Sequence, residues 1–200
     1  MRSQTIFLLC AFTAAAAGRA AAQPPRPDPA GQNPPSIARE STDEPIQRGG
    51  DQAFAQKAAG GGAAEVELAQ LAMQKASNDA VKQLASRIES DHTKANQQLA
   101  SIGSNKGWQL PSSPSSEGQA TKNKLEKLSG DAFDRAYVEA MIKDHHKDIK
   151  EFEREAASGT DTAVKQFASS ALPDLKQHLQ MAESAQQALG KPGAKQSSQP

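Results

Sequence analysis

The chain has 200 residues with 23 basic and 23 acidic side chains, so its formal charge at pH 7 is zero. That balance excludes the one-signed basic face that a nucleic acid partner requires. With aromatics at only 4%, a body rich in Ala, Gln, Lys, Glu and Leu leans towards helix.

Residues 1–22 read as a cleavable signal peptide. Arg2 precedes an apolar run from Ile6 to Ala17, and Ala20-Ala21-Ala22 offers the small side chains that signal peptidase reads. The run is well short of the ~20 apolar residues that span a bilayer. Cleavage is therefore expected after Ala22, with no transmembrane span in the mature chain. Cys10 follows Leu9, whereas a lipoprotein signal places a small residue there. Removal of this segment takes away the only cysteine and with it any disulfide. Export implies the periplasm or the exterior, with outer-membrane association as a further option.

Residues 23–50 are dense in proline and almost without large apolar side chains. Such a stretch buries too little surface to offset the entropy of ordering it, and reads as a disordered linker. Residues 190–200 have the same character and are expected to form a disordered tail.

Residues 51–189 carry four helical patterns. The first, with Asp51 as N-cap, runs Phe54, Ala58, Gly61, Glu65, Leu68, Ala72, a spacing of three and four that keeps one face inward. After a break at Ser77-Asn78 the second runs Val81, Ala85, Ile88, His92, Ala95, Leu99, Ile102, so the two form an antiparallel hairpin. Residues 104–117 hold Gly107, Trp108, Pro111 and Pro114 and read as a long connection, with Trp108 packed over one end. Helix resumes over residues 119–128, breaks at Ser129-Gly130, and restarts at Asp131 with the stripe Val138, Met141, Ile142, His145, Ile149, Phe152. Ser158-Gly159 ends that helix, and the last follows Val164, Phe167, Ala171, Leu175, His178, Ala182, with a kink expected at Pro173. Two hairpins joined by a longer link predict an all-α, up-down-up-down four-helix bundle. The run Gly60-Gly61-Gly62 reads as a close approach of two helix backbones, because a phosphate loop needs a strand before it.

Helical period places Glu65, His92, His145 and His178 on the four inward stripes, one per helix. A buried charge must be paired, hydrogen-bonded or bound to a metal, and bundle cores are known to hold such ligands. Glu89 lies three residues before His92, Asp144 adjoins His145, and Asp174 lies one turn before His178. The metal-ligand candidates are therefore Glu65, Glu89, His92, Asp144, His145, Asp174 and His178. Reflecting each hairpin about its turn sets Glu65 within three residues of His92. The same reflection sets His178 about five residues beyond His145, roughly 7.5 Å along the axis, which disfavours a single compact site unless a distortion at Pro173 helps or Asp174 replaces His178. The alternative is that Asp91-His92 and Asp144-His145 are buried hydrogen-bonded pairs that fix register, with each imidazole donating to a carboxylate or backbone carbonyl. Buried imidazoles can also report pH. Tyr137 is read as core with a satisfied hydroxyl, and His146 as solvated.

The segments KAAGGGAAEVELAQLAMQKASNDAVKQLA, SDHTKANQQL, SGDAFDRAYVEAMIKDHHKDIKEFE and ALPDLKQHL, in this order, resemble the exported bacterial domain-of-unknown-function family 4142. That family is often labelled predicted outer membrane protein. The resemblance covers about residues 51–188 and implies a ferritin-like fold without supplying an activity. Compared with di-iron members of the wider fold, Asp144 or His145 stands where a Glu is usual in the third helix, and the fourth lacks Glu-x-x-His. The set suits zinc, copper or nickel at least as well as iron. No Gly-x-Ser-x-Gly, His-Glu-x-x-His or P-loop is present, so a binding protein is expected rather than an enzyme. The alternatives are a structural or protein-interaction module of the cell envelope, with an envelope protein as partner, and more remotely a di-iron oxidase. The sequence leaves oligomeric state open.

Overall fold

Apolar residues spaced by three and four wind the chain into five α-helices in the computed structural model, which describes residues 44–190, with side chains from Gly50 onward. The helices are α1 (Glu44–Lys75), α2 (Asp79–Asn105), α3 (Ser116–Leu125), α4 (Gly130–Ser158) and α5 (Thr162–Gly190), with no strand among the described residues. The expected signal peptide, Cys10 and residues 191–200 of the expected tail lie outside the described residues, as does the proline-rich segment up to residue 43. None of the described helices is long and apolar enough to cross a membrane.

Local chemistry sets the helix ends. Asn78 caps α2, its side-chain oxygen accepting from the Ala80 N–H at 2.8 Å, and Ser115 caps α3 through Gly118 N–H at 3.1 Å. Asp161 accepts from Ala163 and Val164 N–H at the start of α5. After α2, Gly107 takes a φ of 67° and lets Trp108 N–H return to the Gly103 carbonyl at 2.9 Å, a glycine-dependent helix stop. Pro173 lies on the exposed side of α5, which continues through it as one helix.

α1 starts at Glu44, ahead of the expected boundary at Asp51, so Asp51 is not its N-cap. The Asp51 carboxylate instead accepts hydrogen bonds from Thr160 N–H, Thr160 hydroxyl and Asp161 N–H in the α4–α5 turn. A second buried carboxylate does the same at the opposite end. Asp134 of α4 accepts from Ser77 N–H, Ser77 hydroxyl and Asn78 N–H in the α1–α2 turn. Each hairpin thus holds the turn of the other.

These contacts also fix helix direction, and they correct the expected up-down-up-down order. The start of α2 lies beside the start of α4, at Asn78 and Asp134. The end of α2 reaches the start of α5, where Lys106 pairs with Asp161. α2 and α4 therefore run the same way, and the order of the four long helices is up-down-down-up. The reason is the connection from α2 to α4, which crosses the length of the bundle with α3 climbing alongside α1. Gly60 carbonyl accepts from Ser115 N–H at 2.9 Å, Glu67 pairs with Lys122 at 2.7 Å, and Lys75 reaches the Glu126 carbonyl. α3 is the helix foreseen at residues 119–128, begun three residues earlier.

The apolar core is divided. One cluster, around Leu68, Leu84, Ile88, Leu125, Phe133, Tyr137, Val138 and Met141, fills the end near the α1–α2 turn. The other, around Phe54, Leu99, Val164 and Phe167 with Phe152 and Trp108 against it, fills the opposite end. Trp108 thus packs over the bundle as the sequence indicated, with the Lys106 ammonium 5.5 Å from its ring centroid. Between the two clusters lies a layer that is not apolar.

Candidate metal centre

The layer between the apolar clusters is made by Glu65 of α1, His92 of α2, His145 of α4 and His178 of α5, all buried. One atom from each of the three imidazoles lies within 4.8 Å of the others. This corrects the expectation that His178 sits too far along the axis from His145. Their facing nitrogens, His145 Nε2 and His178 Nδ1, are 3.2 Å apart. Helical side chains lean towards their own N-terminus, so across a hairpin the partner on the second helix lies about two residues beyond its mirror position. Thr160 and Asp161 lengthen the α4–α5 turn and add to the offset. The same lean brings His92, three residues beyond mirror symmetry, onto Glu65.

The outer nitrogens of two rings already have acceptors. His145 Nδ1 lies 3.0 Å from the Met141 carbonyl, and His178 Nε2 lies 3.1 Å from Asp91 Oδ2. A carbonyl oxygen and a carboxylate only accept, so each outer nitrogen carries the proton. If both rings are neutral, the lone pairs of His145 Nε2 and His178 Nδ1 then point at each other. Two ring protons cannot satisfy three contacts. A cation between the facing nitrogens removes the conflict, and 3.2 Å matches the roughly 3.3 Å edge of a tetrahedron with ~2.05 Å bonds.

Glu65 and His92 supply a second sign. Glu65 Oε2 lies 3.2 Å from His92 Nε2 and Glu65 Oε1 lies 3.4 Å from His145 Nδ1. None of these approaches has hydrogen-bond geometry with Glu65, and both Glu65 oxygens and His92 Nε2 have no hydrogen-bond partner. Orphaned polar atoms at this depth are costly unless something else pairs with them.

Electrostatics keep the imidazoles in the ligand form. Burial lowers His92 to about 4 and, reinforced by the neighbouring His92 and His178, lowers His145 to about 4 against the opposing pull of Glu65. Burial and His92 also lower His178, although Asp91 opposes the shift. Burial raises Glu65 to about 7, with His145 pulling it down and Asp144 pushing it up. Burial pushes Asp91 up, but hydrogen bonds from His178 and Arg87 outweigh it and hold the carboxylate below its usual range. Asp91 is itself held by Arg87, which also reaches Asp174 Oδ1 at 3.0 Å.

The structure thus brings Glu65, His92, His145 and His178 together. Asp174 lines the adjoining cavity and pairs with Arg87. Asp144 is half-buried, raised by burial and then by Glu117 of α3, and does not line that cavity. Glu89 is half-buried and belongs to neither the histidine cluster nor the cavity lining. The expected Asp91-His92 and Asp144-His145 pairs do not form, but imidazoles do donate to a carboxylate and to a backbone carbonyl, His178 to Asp91 and His145 to Met141. Sequence reasoning missed Asp148, which lines the cavity and is raised to about 8 by burial and by Glu65. Its position three residues after His145, on the same helical face, was the available signal. The Tyr137 hydroxyl, expected to be satisfied, has no hydrogen-bond partner.

The family model of the domain of unknown function DUF4142 matches residues 36–185. The chain belongs to that family. No curated protein and no solved structure matches it. As a DUF4142 protein it has a helical domain whose buried His92, His145 and His178 could hold a metal ion.

Proposed function

We propose that this DUF4142 protein is a ferritin-like bundle that binds one divalent transition metal ion through His92, His145 and His178, with Glu65 as the carboxylate partner. The observation that carries this is the facing of His145 Nε2 and His178 Nδ1 at 3.2 Å while their outer nitrogens are engaged. A polar core used only for packing leaves that conflict in place at neutral pH, where burial disfavours the extra proton that could relieve it. The crossover carrying α3 and the up-down-down-up order support the ferritin-like assignment, since bundles of that class have one long crossover.

Three imidazoles and one carboxylate favour zinc, copper or nickel over iron. The carboxylate-rich set of a di-iron centre is not assembled here, because Glu89 and Asp144 stay outside the cluster. Asp91 and the Met141 carbonyl orient His178 and His145 and raise their basicity. A bound ion supplies Lewis acidity and a fixed positive charge in the core. With the leader expected over residues 1–22, we place this binding in the periplasm or outside the cell.

The test is metal analysis of tag-free protein equilibrated separately with zinc, copper, nickel and iron, then gel-filtered. One ion per chain is expected in the wild type, and none in a His92→Ala/His145→Ala double variant. A wild-type protein that emerges without stoichiometric metal, and whose melting is indifferent to chelator, sinks the assignment and leaves an exported scaffold.

A further inference from the structure

A cavity of ≈ 140 Å³ adjoins the histidine cluster. Its floor is Glu65, His92 and His178, and its far wall is aromatic, with Phe54, Phe152 and Phe167. Phe152 packs edge-on to Phe54 at 4.9 Å and lies 5.9 Å from Phe167. His145 does not line the cavity, so the cluster has a closed side and an open one. We propose that this cavity is a binding site for a small uncharged azole, which adds to the ion as a fifth donor through one ring nitrogen and rests its apolar edge on the phenylalanines. This rests on the metal reading above.

Size, charge and shape each narrow the occupant. A cavity of about 150 Å³ takes benzene, so a five-membered ring fits. The basic groups at the cavity are already committed. Lys57 pairs with Glu151, and Lys94 lies 3.7 Å from Asp91. The acids lining the space, Glu65, Asp91, Asp148, Glu151 and Asp174, outnumber its two lysines, which disfavours an anion. Glu65, His92 and His178 present the cluster to the cavity, so a ligand there reaches the ion from this side.

Gly61 keeps the space open. A Cβ built there meets nothing within 4 Å, whereas one at Gly62 would strike the Asn96 side-chain oxygen at 2.3 Å and one at Gly60 would touch Pro111 and Ser115. Gly60 and Gly62 serve helix contact, and of the two that line the cavity, Gly61 and Gly62, it is Gly61 that has room for a side chain.

The experiment uses the full mature chain loaded with cobalt(II), whose visible bands report coordination. Imidazole is titrated at pH 8, where it is neutral, with azide as the anionic comparison. A saturable band shift with imidazole is expected, with azide at least tenfold weaker. Gly61→Met, which fills the cavity from α1, should keep the wild-type cobalt spectrum and weaken the imidazole response at least tenfold. Ala171→Phe provides the same plug from α5, should one variant fold poorly. Cobalt bands that ignore imidazole, that respond equally in the plugged variants, or that respond to azide as strongly would overturn the site while leaving the metal reading intact. Absence of cobalt bands altogether overturns both.

Discussion

His178 shows how much one side chain depends on its neighbours. Its Nε2 is fixed by Asp91, which fixes the tautomer and leaves Nδ1 to face His145. Asp91→Asn should therefore weaken metal binding by roughly 10–100-fold without removing a ligand; competition against a chromophoric chelator reads this, and unchanged affinity would show that Asp91 does not orient the ring. The site's acids and bases also set the pH dependence of the metal-free protein. His92 and His145 lie near 4 when folded, below the ordinary 6.5, so their contribution is present above pH 6.5 and is lost as pH falls towards 4. Glu65, Asp148 and Glu155 are raised to about 7, 8 and 7, so theirs is present at low pH and is lost as pH rises through those values. The two effects oppose each other between about pH 4.5 and 6.5, and only the acids act above that. Melting of the metal-free protein should thus fall from pH 6.5 to 8, and Glu65→Gln should flatten the slope; a rise over this range would contradict the assigned shifts. At this scale the sequence revealed which residues sit on inward stripes, because helical period alone decides that. It could not reveal that Asp91 bonds across to α5 while its neighbour His92 turns to α1, since adjacent helical residues diverge by about 100°.

The helices were legible from apolar spacing, and their register was not. Mirror arithmetic about a turn tracks backbone atoms, whereas contacts are made by side chains that lean one way along the helix. That lean is why His178, and not Asp174, meets His145. The direction of α4 was illegible for another reason: a long connection can fold back at one end or cross to the other, and only its packing on α1 decides. Gly118 is part of that packing, for a Cβ there would fall 2.1 Å from the Ala64 Cβ. Gly118→Ala should cost roughly 1–3 kcal/mol through overpacking. Gly61→Ala, on the open side of α1, should instead stabilise by about 0.5–1 kcal/mol through backbone entropy. Urea denaturation of the two variants should give changes of opposite sign; equal signs would mean that α3 does not press on α1 at this point.

Across the whole molecule, Asp51 and Asp134 tie the two hairpins together at opposite ends, and the polar layer lies between those ties. Neither carboxylate was legible as a clasp. Asp51 looked like an N-cap, and Asp134 lay unremarked among Phe133, Tyr137 and Val138. Asp134→Ala should cost roughly 1.5–3 kcal/mol, because it removes the charged acceptor shared by the Ser77 and Asn78 donors. It should also loosen metal binding at a distance by shifting α4 against α1; thermal melts with and without zinc separate the two effects, and a variant as stable as wild type would remove Asp134 from this role. The reciprocity of these ties reaches further. A chain cut between Gly107 and Pro114 yields two pieces, each with a bend whose amides look for an oxygen that the other piece carries. Each piece alone should be unstructured, and an equimolar mixture should recover helical circular dichroism with a concentration-dependent midpoint, so that a unimolecular fold becomes a two-component assembly.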